Sequence, residues 1–122
     1  MIKKDSRLDH WVKAGTWAEN TNNEPASISG MAKDIHLNAV YHGWWETQRP
    51  VPELLCLIHS EVSEALEAYR NQDEKNLAEE LADIVIRVFD MAEGLDIDIE
   101  KEIIIKHEHN KTREYRHGGK VC

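Results

Sequence analysis

From residue 51 onward, apolar residues return at helical spacing. Leu55, Ile58, Val62, Leu66 and Tyr69 form one series, and Leu77, Leu81, Val85, Val88 and Ala92 form another. Recurrence every three or four positions marks a helix with one apolar stripe. The first series predicts a helix opened by Pro50 and Pro52, because proline is tolerated in a first turn. The second predicts a helix closed near Gly94. Asn71-Gln72-Asp73 interrupts the pattern between them, and so short a connection favours an antiparallel pair with the two stripes face to face as core. Upstream, Ser27 or Ser29 can cap a helix through Ile35 and Val40 to His42, with Gly43 as its stop and Trp44-Trp45 in the turn that follows. Downstream, Asp96 or Asp98 opens a last helix that carries Ile99, Ile103 and His107 inward and frays near His117-Gly118-Gly119. Ile103-Ile104-Ile105 is β-branched, but its flanks Glu100, Lys101, Glu102 and Lys106 suit a helix. A shorter amphipathic piece, Ser6 to Glu19, runs into the turn-forming cluster Asn20 to Pro25. The expected architecture is all-α, an antiparallel bundle of about four to five helices.

Composition narrows the class. A chain of 122 residues is the size of one domain, taken as 1–122 with a mobile tail at 117–122. Its 31% charged residues and three prolines suit exposed helical faces. Two cysteines, Cys56 and Cys122, make neither a metal-site spacing nor a disulfide framework. No apolar run reaches signal-peptide or membrane-span length, so a cytoplasmic protein without a membrane partner is expected. The net charge of −8 opposes non-specific grip on a nucleic-acid backbone, which depends on many cations displacing counterions. A single triphosphate remains compatible with an acidic protein when a divalent cation supplies the positive charge. Ile84, Ile86 and Phe89 lie off the main stripe, and their exposure in a monomer predicts a homodimer or homotetramer.

The candidate chemistry lies in two acidic pairs. Glu61 and Glu64 are three residues apart, as are Glu80 and Asp83, so each pair shares one side of its helix. On a helical wheel both pairs fall on a flank of the apolar stripe, at the edge of the core. If the helices pack antiparallel, the flanks can meet and offer carboxylate oxygens to magnesium, a hard cation commonly shared with substrate phosphates. In a chain with 23 acidic residues, solvated helix faces explain isolated pairs equally well. Downstream, Lys106, Asn110 and Arg113 can share a helix face within a locally basic segment. That face either binds phosphate or answers the negative end of the helix dipole. Glu-x-x-His, the mark of a di-iron bundle, occurs only at Glu114-x-x-His117 in the tail.

Glu61-Val62-Ser63-Glu64 followed by Glu80-Leu81-Ala82-Asp83 resembles the Glu-x-x-Glu and Glu-x-x-Asp signature of the MazG-like all-α nucleoside triphosphate pyrophosphohydrolases, a superfamily that also contains dimeric dUTPases and dCTP pyrophosphatases. His36 to Trp45 is similar to the helix and aromatic turn ahead of that signature, and Lys106-x-x-x-Asn110-Lys111-x-Arg113 is similar to its basic segment. The resemblance spans about Ile35 to Lys120 and leaves 1–26 as a poorly matched N-terminal extension. It implies that Glu61, Glu64, Glu80 and Asp83 are the catalytic magnesium ligands. It implies further that Lys106, Asn110 and Arg113 sit near phosphate or sugar, and that Trp44 or Trp45 stacks on the base. The expected activity is Mg-dependent hydrolysis of nucleoside or deoxynucleoside triphosphates to the monophosphate and pyrophosphate, in nucleotide pool sanitation or control. The alternative, a non-catalytic nucleotide- or protein-binding module of the same fold, would not require all four acids. Base and sugar preference and the identity of the general base do not follow from the sequence.

Overall fold

A computed structural model describes residues 27–122; the predicted helix Ser6 to Glu19 and the turn Asn20 to Pro25 lie outside them. The described chain is all-helical. Helix α1 spans Ile28–Tyr41, α2 Val51–Arg70, α3 Glu74–Gly94 and α4 Ile99–Lys111, followed by a single turn, α5, at Arg116–Gly119. No described helix is long and apolar enough to cross a membrane. Cys56 and Cys122 are free and exposed.

The helix ends follow local chemistry. Of the two candidate serines, Ser27 caps α1 by accepting the Gly30 N–H at 2.9 Å. Asp73 caps α3 by accepting from Asn76 N at 3.0 Å, and Asp98 caps α4 by accepting from Lys101 N at 3.1 Å. Each cap satisfies an N–H that has no partner inside its helix. Pro50 occupies the N-cap position of α2 with Pro52 in its first turn. After α1 the chain turns at Gly43, where φ is +86°, a conformation open to glycine without steric cost.

Helix α3 ends at Gly94, as expected, but not through a left-handed glycine. The left-handed residue after α3 is Asp96, at φ +57°. Gly94 instead lies under the Trp45 indole, and a Cβ there would overlap the ring. The glycine admits the aromatic turn onto the end of α3.

Helices α2 and α3 pack as an antiparallel hairpin, α1 lies along α3, and α4 touches α1 and α3. The face that α2 buries differs from the one its apolar stripe predicts. Leu54, Ala65 and Ala68 are buried, together with Glu61. Leu55, Val62, Leu66 and Tyr69 are exposed, Tyr69 at 70%. At about 100° per residue, the buried set lies roughly a quarter turn from the stripe. Small side chains allow close approach of the helices, and the larger residues are left on one side of the hairpin with Leu81 and Val85 of α3, also exposed. The residues expected to be uncovered change accordingly. Phe89 is buried against the bundle, Ile84 is half-buried, and only Ile86 is exposed.

Helix α4 buries no residue. Ile103 and His107, expected to point inward, are exposed; Ile99 is half-buried. The helix is anchored at its first turn, where Glu100 accepts from Ile28 N at 3.2 Å and from Ser29 Oγ at 2.7 Å. This carboxylate meets the positive end of α1.

Candidate functional site

The α2–α3 seam brings the acidic pairs together. Glu61, Glu64 and Glu80 can each place one carboxylate oxygen within 4.8 Å of the others. Glu61 is not at the flank of a core but within the seam, 8% exposed among Leu54, Ala65 and Ala68. Asp83 stands outside this trio, one helical turn beyond Glu80, and its charge acts on Glu80.

The cluster's electrostatics are those of crowded carboxylates. Burial and then the adjacent Glu64 push Glu80 up to about 7, with smaller contributions from Glu61 and Asp83. Glu61 moves the other way: a hydrogen bond from Arg87 lowers it against the opposing effect of burial. That bond runs from Arg87 Nε to Glu61 Oε1 at 2.6 Å. Glu80 Oε2 is buried and receives no hydrogen bond. A buried, unsatisfied carboxylate oxygen beside two others fits a hard divalent cation, which takes oxygen ligands and relieves their mutual repulsion.

Beside the cluster runs a groove of about 700 Å³ between α1 and the α2–α3 hairpin. Asn38 and Ala39 border it on α1, with His42 at the C-cap of that helix, Leu57 and Glu61 on α2, and Asp83, Ile86, Arg87 and Asp90 on α3; Trp44 and Arg49 lie at its aromatic turn. The two tryptophans differ in role. Trp44 is 64% exposed and lines the groove. Trp45 donates its Nε1–H to Asp90 at 3.0 Å, meets the His36 ring edge-on at 5.1 Å and rests on Gly94. His36 Nδ1 lies 2.8 Å from the same Asp90 carboxylate. Trp45 is thus held as a wall, whereas the Trp44 face is open to a ligand. The Arg49 guanidinium lies 5.8 Å from the Trp44 ring centre and 5.4 Å from that of Trp45, within cation–π range.

Lys106, Asn110 and Arg113 are placed elsewhere. All three are exposed on or just after α4, and none borders the groove. Arg87 and Asp90 also border the groove, and neither belongs to the acidic pairs or the basic segment. A signal was present: Glu80, Asp83, Arg87 and Asp90 continue one series at spacings of three and four, so they share a side of α3. For Arg49 and His36 no comparable pattern marks the role.

A family model, the MazG nucleotide pyrophosphohydrolase domain, matches residues 51–114. The match contains all four acids, Arg87, and the Lys106–Arg113 segment, and it excludes α1 and the tryptophan turn. No curated protein and no solved structure matches the chain.

Proposed function

The chain belongs to the MazG nucleotide pyrophosphohydrolase family, and from that premise we propose that it hydrolyses nucleoside or deoxynucleoside triphosphates to the monophosphate and pyrophosphate. The observation that carries this reading is the Glu61–Glu64–Glu80 trio, with its unpartnered Glu80 oxygen, beside a groove bordered by an open indole. Glu61, Glu64, Glu80 and Asp83 would hold Mg²⁺. When bound, the ion supplies charge neutralisation for phosphate oxygens and lowers the pKa of a bound water.

The protein's own residues do the rest. Trp44 offers an aromatic face to the base, while the Asp90-held Trp45 and His36 keep that end of the groove rigid. The triphosphate lies toward the acids. Water attacks the α-phosphorus, the α–β anhydride bond breaks, and a cluster glutamate accepts the water's proton as general base. Pyrophosphate leaves. Product analysis with α- and γ-labelled nucleotides tests this assignment; release of orthophosphate as the primary product would overturn it.

Assembly completes the proposal. The exposed Leu55, Val62, Leu66 and Tyr69 with Leu81 and Val85 form an apolar face suited to a second copy, giving a homodimer or homotetramer. Among the described residues, Lys106, Asn110 and Arg113 do not border the groove beside the acids, so their phosphate and sugar contacts would be made in a partner's groove. Sedimentation as a monomer at micromolar concentration would contradict the assembly. The physiological role assigned is nucleotide pool sanitation or control.

A further inference from the structure

One cation sits inside the acidic site. Arg87 is one helical turn from Asp83 on α3, and its side chain, 38% exposed, crosses to α2 to bond Glu61, whose side chain is only 10% exposed. Among the described residues this Nε–H bond is the one hydrogen bond that the Arg87 side chain makes, and the residue borders the groove together with Asp83 and Asp90. A guanidinium has five N–H donors in a planar fork. The bond to Glu61 uses one of them, and the terminal nitrogens have the geometry to take a phosphate.

Two physical consequences oppose each other. A fixed positive charge on Glu61 partly neutralises the crowded acids, and the same charge repels a divalent cation arriving among them. A polyphosphate in the groove would reverse that balance, because its negative charge offsets Arg87 and its oxygens would add ligands of the kind a hard cation takes. We propose that Arg87 is the internal counter-ion of the acidic cluster and the phosphate-binding cation of the groove, so that metal loading and polyphosphate loading are coupled through one side chain. The inference rests on the acids being a metal site, as proposed above, and adds to that reading a residue that makes each ligand favour the other. Such coupling is reciprocal by linkage.

The test uses the full chain and two probes that do not depend on base preference: Mg²⁺ alone, and magnesium tripolyphosphate, each followed by calorimetry. In Arg87→Gln, Mg²⁺ alone should bind about tenfold more tightly and magnesium tripolyphosphate about 10- to 100-fold more weakly, the range expected for losing a charge-assisted hydrogen bond. Arg87→Lys keeps the charge and loses the fork, so its Mg²⁺ affinity should stay near that of the parent while its tripolyphosphate affinity falls between the two. A residue that only braced Glu61 would give the opposite first result, weaker Mg²⁺ binding in Arg87→Gln, and that outcome overturns the proposal. So does unchanged tripolyphosphate binding. Should either variant fail to fold, ¹⁵N NMR of the Arg87 Nε–H in the parent protein decides: tripolyphosphate with Mg²⁺ must shift its resonance, and an unmoved signal overturns the role. If the parent binds no Mg²⁺ at all, the metal-site reading falls together with this one. If the parent binds Mg²⁺ and only the Arg87 results fail, the metal site stands without the coupling.

Discussion

Helices α2 and α4 are both rich in glutamate and isoleucine or leucine, yet one buries a glutamate, Glu61, and the other buries nothing. In α2 the small residues Ala65 and Ala68 align with Leu54 and Glu61 on one side, and close approach to α3 follows. In α4 the bulky Ile103, Ile104 and Ile105 are consecutive, so they spread around the helix and leave no stripe to dock. Among the described residues, the side-chain hydrogen bonds that tie that helix to another come from the capping carboxylate of Glu100. Helical periodicity therefore decides that a segment coils, and the placement of small residues decides where it packs. A carboxylate carried into such a seam is desolvated, and its behaviour then depends on a cation.

The contrast can be broken hardest at Glu61. Glu61→Ala should abolish Mg²⁺ binding and lower turnover by ~100-fold or more, whereas Lys106→Ala on α4 should lower it by about tenfold, mainly through KM. Steady-state assays of pyrophosphate release compare the two. Equal losses would show that α4 belongs to the same packed site as α2. If α4 serves a partner's groove, mixing the Glu61→Ala and Lys106→Ala chains should restore activity above the sum of the two separate preparations.

Packing sensitivity should divide in the same way. Gly94→Ala forces a Cβ into the Trp45 ring and should cost about 1 to 3 kcal/mol, a Tm drop of roughly 4 °C per kcal/mol for a domain of this size. Ile104→Ala on exposed α4 should change Tm by less than about 0.5 kcal/mol equivalent. Thermal melts followed by circular dichroism would show a comparable loss at both positions if α4 were in fact docked.

The smallest effect sharpens the electrostatic side. Glu80 has its folded pKa raised to about 7 from an ordinary 4.5. Its contribution to stability is therefore complete below about 4.5 and is lost as pH rises through 7. The metal-free protein should lose Tm between pH 5 and 8, Glu80→Gln should flatten that slope, and saturating Mg²⁺ should reverse it. Glu61, lowered by Arg87, acts in the opposite sense and only below its ordinary value, so the two windows are separable.

Much of this protein was legible residue by residue. The caps of α1 and α4 were legible to within two candidates each, Ser27 or Ser29 and Asp96 or Asp98, because a short acceptor beside free N–H groups is a local matter, and the spacing of Glu61 with Glu64 and of Glu80 with Asp83 needs only the helical repeat; the cap at Asp73 emerged with the structure. The two acidic pairs lie within the residues that match the family. What the sequence could not determine was which face each helix buries. The longest apolar stripe of α2 looks like the core on a wheel, but contact with α3 is made by alanines, because close interhelical distance rewards small residues over large ones. That choice moved Glu61 from an expected flank into the seam and set Arg87 against it, while contacts of Trp45 with Asp90 and Gly94 separated it from Trp44, and the Glu100 anchor of α4 left Lys106, Asn110 and Arg113 away from the groove. Each of these depends on which side chains meet across helices distant in sequence, and only the tertiary structure decides that.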